Sequence, residues 1–192
     1  MSDFAAIRAV SESLRGIIDN QITLAGVTVS EQSPKQMVES ATNGISIWLY
    51  RVTRNEHILN NPPARPAPNQ LSHKPFPVNL HYLISFFMPD VRDEQLLLGR
   101  IVQIFNDQPV LRGSDLTGSL SGEDSEFRIH FETLTLEELT RIWNALQEPY
   151  RTSVSYLIEI IQIESLLDPM LAQPVLQRHS TTSQIVGATP IP

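Results

Sequence analysis

The sequence predicts an α+β fold of sandwich-like α/β character, with a single mixed, largely antiparallel sheet of about four to five strands and about three packed helices. Segments whose apolar residues alternate interleave with segments of helical periodicity. The strand-like segments are rich in β-branched and aromatic residues. A capping box opens the last helix. At 192 residues the chain is long enough for a real core. It divides into one domain over residues 1–165 and an extended arm or tail over 166–192.

The first element is an amphipathic helix in which Phe4, Ile7, Val10, Leu14, Ile17 and Ile18 recur at helical spacing, with Arg8, Glu12 and Arg15 elsewhere on the wheel. Ile22–Ser30 is β-like but weakened by Gly26, and a polar stretch around Ser33-Pro34-Lys35 follows. Gly44–Val52 carries Ile45, Ile47, Trp48 and Tyr50 and reads as a strand. The prolines between Asn60 and Pro77 remove donors and restrict the residues before them, so this stretch is an extended, partly polyproline loop. In Phe76–Phe87, residues Val78, Leu80, Tyr82, Ile84 and Phe86 keep a clean period of two and share one face.

Asp90 begins a second helix, Asp93 and Glu94 favour its N-terminal dipole, and Leu97, Leu98, Ile101, Val102 and Phe105 give it an apolar stripe. The stretch 112–122 is a glycine- and serine-rich loop, and Glu126–Glu132 alternates as a strand with one wet face. Thr135 and Glu138 form the capping box of a third helix with Leu139, Ile142, Trp143 and Leu146 as its buried stripe. The last strand places Val154, Tyr156, Ile158 and Ile160 on one face and Leu157, Ile161 and Ile163 on the other, an apolar pattern that implies cover on both sides.

Composition excludes several classes of function. The net charge of −7, without a run of Lys or Arg, disfavours nucleic acid and anionic membrane surfaces as partners. Zero cysteines remove disulfides, thiolate metal sites and cysteine nucleophiles. Charged residues make up 18%, below the roughly 25% of ordinary soluble domains, which suits a surface with subunit interfaces. No apolar run is long enough to cross a bilayer, and the start of the chain does not read as a signal peptide, so assembly in the cytoplasm without membrane insertion is expected.

Chemistry is also sparse. The glycines at 113, 118 and 122 lack the Lys and context of a phosphate loop. The five histidines are scattered without metal-ligand spacing, and the acidic groups Glu123–Glu126 and Glu137-Glu138 read as a solvated strand start and a helix N-terminus. No catalytic residue, metal or cofactor is expected. The candidate partner contacts are Arg65 and Pro66 in the proline-rich loop, Arg112 and Asp115 in the glycine-rich loop, and Pro174, Val175, Leu176 and Arg178 in the tail.

Four blocks in order carry a family resemblance: Ile7–Leu14, Ile45–Tyr50, Pro75–Ser85, and Trp143–Leu146 continuing through Tyr150–Tyr156. Together, over roughly 2–165, they resemble the cap or tail-terminator proteins of extracellular contractile injection systems. The resemblance implies a tail-terminator-like fold without an active site, forming a homohexameric ring that binds the last sheath and inner-tube subunits and stops their polymerisation. It implies a component of a phage-tail-like particle, either released or associated with a membrane through the particle. The neighbouring alternative is a tail-completion or head–tail connector protein of a contractile phage or prophage. An alternative from another class is a small hydrolytic enzyme using His81 and His130.

Overall fold

The computed structural model describes residues 4–58, 62–67, 69–121 and 126–171. Its centre is a six-stranded sheet built from β1 (Thr28–Ser30), β2 (Gly44–Arg54), β4 (Phe76–Phe87), β5 (Val110–Arg112), β6 (Glu126–Glu132) and β7 (Ser153–Ile163). The strand order is β1-β2-β4-β7-β6-β5, with β1 parallel to β2 and every other pairing antiparallel. A separate two-stranded ribbon joins β3 (Gln70–Leu71) to β8 (Met170–Leu171). The α+β class and the mixed, largely antiparallel pairing therefore hold. The single sheet of four to five strands does not, because short strands at both edges and the ribbon lie in segments too brief to show a period.

Helices α1 (Ala6–Gln21) and α3 (Val91–Asp107) cover one face of the sheet. Val10, Leu14 and Ile18 of α1, with Leu97, Ile101 and Phe105 of α3, meet the expected β4 face of Val78, Leu80, Tyr82, Ile84 and Phe86. Tyr82 is buried within this core, and its hydroxyl lies 2.7 Å from Ser11 Oγ. Asp90 caps α3 as expected, accepting from the Arg92 N–H.

The second face is covered at one end by a smaller cluster of Met37, Phe87 and Trp143, with Leu146 packed against it. Met37 comes from α2 (Pro34–Glu39), a helix where the sequence shows only a polar stretch. Its signal was a capping box, with Ser33 as cap, Pro34 in the first turn and Gln36 closing the box. The capping box of α4 (Leu136–Leu146) forms as expected. Only Trp143 of its stripe is fully buried, however, and Leu136 is exposed, because the helix rests on the end of the sheet.

Three further expectations need correction. Of Ile22–Ser30, only Thr28–Ser30 is a strand, since the chain turns through Gly26 at φ +77°. The glycine- and serine-rich stretch is more than a connecting loop: Leu116 and Leu120 are buried in the main core, and the Thr117 N–H donates to Ser13 Oγ at 3.0 Å. The doubly apolar pattern of β7 arises partly from a bulge. Val78 pairs with Ile161 but Leu80 pairs with Ile158, so β7 carries an extra residue there. The shift returns Ile161 to the core face beside Tyr156 and Ile158, and leaves the other face to Ser153, Ser155, Leu157 and Glu159.

Gly44 opens β2 at φ +144°, and a Cβ there would lie 1.9 Å from the Thr28 carbonyl oxygen of β1. Gly44→Ala is expected to lower stability by about 3 kcal/mol by forcing β1 off the sheet. Urea unfolding monitored by tryptophan fluorescence checks this, and a loss below about 1 kcal/mol would refute the close approach.

Candidate functional site

The uncovered part of the second face carries a continuous row of hydrogen bonds across four adjacent strands. Ser155 Oγ of β7 donates to Glu132 Oε2 of β6 at 2.7 Å, and the Tyr50 hydroxyl of β2 donates to the same oxygen at 3.1 Å. His81 Nδ1 of β4 lies 3.0 Å from Glu132 Oε1, and His81 Nε2 lies 2.9 Å from Thr53 Oγ1 of β2. An ionised carboxylate only accepts, so Nδ1 carries a proton toward Glu132, while Nε2 bonds the Thr53 hydroxyl. His81 and Ser155 are buried, and Glu132 is partly so.

A second bulge assembles this row. Leu49 pairs with Tyr82 and Arg51 with His81, so Tyr50 is the extra residue in β2. Tyr50 and Thr53 are an odd number of residues apart and would point to opposite faces of a regular strand. The extra residue brings both to the His81 side, a placement that alternation in the sequence cannot reveal.

Partial burial works to raise the Glu132 pKa, but the hydrogen bonds from Ser155, His81 and Tyr50 and the attraction of the imidazole outweigh it and hold the carboxyl below its ordinary value. Burial is the largest effect on Tyr50 and pushes its hydroxyl up to about 12, with the Ser155 hydrogen bond opposing and the Glu132 charge adding to the rise. The row is thus a satisfied network that ties four strands together.

His81 and His130 do not form a joint site. Both lie opposite Leu157, on either side of β7, and each has its own carboxylate: Glu132 for His81 and Glu159, at 3.3 Å, for His130. Among the described residues, no group of three His, Cys, Asp or Glu side chains could hold a metal ion. No helix among them is long and apolar enough to cross a membrane.

The structure brings together two regions that the sequence reading kept apart. The proline-rich segment with Arg65 and Pro66 leads into β3, and the start of the C-terminal arm returns as β8 to pair with it, Gln70 opposite Leu171 and Leu71 opposite Met170. Arg65 and Pro66 are exposed. A cleft of about 530 Å³ opens beside this segment, lined by Arg54, Ile58, Pro62, Lys74, Phe76 and Gln162. The Arg54 guanidinium sits over the Phe76 ring at 5.3 Å.

Arg112 and Asp115 lie at the other edge of the sheet, where Arg112 pairs with Glu126 at 3.3 Å and its N–H donates to Asp115 Oδ2. Pro174, Val175, Leu176 and Arg178 fall outside the described residues. The sequence reading missed an exposed apolar run at the root of the arm, formed by Leu166, Leu167, Met170 and Leu171. Its signal is plain afterwards: the apolar run Leu-Leu-Asp-Pro-Met-Leu follows directly on the last long strand.

The family pattern described as the Pvc16 N-terminal domain matches residues 9–177. Among solved structures, the sheath/tube terminator of an extracellular contractile injection system in its extended state aligns with TM-score 0.64 and 17% identity over 95% of this chain. The tube-terminating cap of the anti-feeding prophage aligns with TM-score 0.59 and 16% identity, also over 95%. The chain spans 65% and 62% of the length of those two proteins. No curated protein matches it in sequence.

Because the folded Glu132 pKa is lowered, its contribution to stability is complete above the ordinary value of 4.5 and is lost as pH falls through the folded value. Glu132→Gln is expected to cost about 1–2 kcal/mol at pH 7 through lost charge-assisted hydrogen bonds. The difference from the unsubstituted chain should shrink below pH 4.5, and urea titrations across pH 3–7 check both the size and the trend. A pH-independent difference would contradict the placement of the charge.

Proposed function

The chain belongs to the Pvc16 N-terminal domain family, and from that membership we propose that it caps a contractile injection system. In this reading it forms a homohexameric ring on the end of the particle distal to the baseplate. It binds the last inner-tube and sheath subunits and terminates their polymerisation. The observation that carries the proposal is the match of 95% of this chain to a sheath/tube terminator and to a tube-terminating cap.

The fold suggests how termination works. Stacked rings of identical subunits present a repeating heterologous surface that grows without limit. A terminator must bind that surface on one side and offer no copy of it on the other. Both edge strands of this sheet, β1 and β5, are three residues long, which is how natural sheets blunt their edges against further pairing. Strand addition is thereby confined to the short lengths of neighbouring strand that β1 and β5 leave open. The partner contacts proposed for the tube and sheath are the exposed Arg65 and Pro66, the Arg112–Asp115 loop, and the tail with Pro174, Val175, Leu176 and Arg178, proposed as a donor for β-augmentation. Assembly in the cytoplasm, and a particle released or associated with a membrane, belong to the same proposal.

Particles purified from cells lacking this gene are expected to have overlong, frayed or unstable sheaths by negative-stain microscopy. Normal, length-controlled particles would sink the cap assignment. A chain truncated after Leu167 keeps the main core, whose last contributor among the described residues is Ile163, and is expected to fold but to cap poorly. Unchanged capping and particle length would remove the arm from the mechanism.

A further inference from the structure

Strand β6 is covered along only part of its outer edge. The pairing with β5 ends at Val110 opposite Arg128, and one further bond runs from the Ile129 N–H to the Pro109 carbonyl at 2.8 Å. Pro109 has no N–H to donate, and the chain before it turns away into α3. Backbone groups alternate along a strand, so the N–H and C=O of Phe131 point to the same outer side as those of Ile129. They have no backbone partner there among the described residues.

The side chains agree with an unfinished edge. Phe131 is 54% exposed although its ring stacks edge-on against Tyr156 at 5.4 Å, and Tyr156 stacks in turn on Phe105 at 4.7 Å. A cleft of about 270 Å³ opens over these rings, walled by Val102, Asn106 and Pro109. It is a window into the main core beside the unpaired backbone groups of Phe131. Together these are the two requirements for an added strand with apolar side chains.

The same chain carries a matching segment. Leu166, Leu167 and Leu171 are 91%, 67% and 84% exposed, three large apolar side chains within six residues of one another that are left to solvent. The segment cannot serve its own cleft. It leaves β7 at Ile163, while Phe131 pairs opposite Tyr156, about 23 Å back along the strand at the usual rise. Met170 and Leu171 are also held on β3, at the arm's end of the sheet.

We infer that the segment Ser165–Asp168 of a second copy of this chain lies along the Phe131 edge, with its leucines in the cleft under α3. Donor and acceptor are different surfaces at opposite ends of one sheet, so the contact is heterologous and closes into a ring when the rotation permits. The inference rests on the ring proposed above and assigns its subunit interface. Closure would occupy every cleft and every arm, leaving neither free to recruit another subunit.

The chain has no cysteine, so Asn106→Cys on the rim of the cleft and Leu166→Cys on the arm, introduced together, place two unique thiols at exposed sites. Oxidation of the full chain is expected to give a ladder of linked oligomers on non-reducing gels, and neither single variant should do so. Phe131→Asp should weaken self-association at least about 30-fold with unchanged circular dichroism, while Phe131→Leu retains it. A compact, internally linked monomer would overturn the inference by placing the arm in its own cleft. A ring seen by native mass spectrometry without cross-links would overturn it and leave the ring standing on another surface. Cross-linking to sheath protein in place of a second copy would also overturn it. A chain monomeric at every concentration would remove both the ring and this contact.

Discussion

The burial of β4 on both faces is the constraint on which the rest of the structure depends. All but two of its residues, Phe76 and Asn79, are buried. One face is closed by α1 and α3, and the other by Met37, Trp143 and the hydrogen-bonded row. A strand in that position can carry a polar side chain only where a partner is waiting. His81 meets the condition by bonding on both ring nitrogens, to Thr53 on one neighbouring strand and to Glu132 two strands away. Four strands are thereby locked in register by polar contacts on one face while apolar packing holds the other.

Two bulges make this possible. The extra residue in β2 turns Thr53 toward His81, and the extra residue in β7 turns Ile161 into the core. Each bulge converts a one-residue irregularity into a choice of face for everything beyond it. The frame built this way is rigid at its centre and finished with very short strands at its edges. Its irregular segments gather at the arm's end of the sheet, where the proline-rich segment and the arm meet as a ribbon. The ring proposed for this chain would draw on that combination: a stiff body and a few projecting parts that reach neighbours.

Much of the fold was legible in the sequence. The period of two in Val78–Phe86, the helical spacing of Val10, Leu14 and Ile18, and the Thr135/Glu138 box each specify a local structure without help from distant residues. The short edge strands were not legible, because three residues cannot establish a period. The faces beyond each bulge were not legible either, since an alternation rule assumes a regular ladder. The polar row lay hidden in single residues, Tyr50, Thr53, His81, Glu132 and Ser155, which are unremarkable apart and meaningful only once strand order places them side by side. The segments proposed for partner contacts were half visible. The proline-rich loop and the arm were recognised separately, whereas their pairing and the open window at Phe131 depend on tertiary geometry.

The central claim is a location: this domain closes the tube and sheath at one end of a particle. Cryo-electron microscopy of intact extended particles, reconstructed with six-fold symmetry at both ends, tests it most directly. The account predicts six copies of the six-stranded domain at the end distal to the baseplate, in contact with the last tube and sheath subunits and absent from the shaft. Density for the domain along the shaft, at the baseplate, or nowhere in the particle would contradict it.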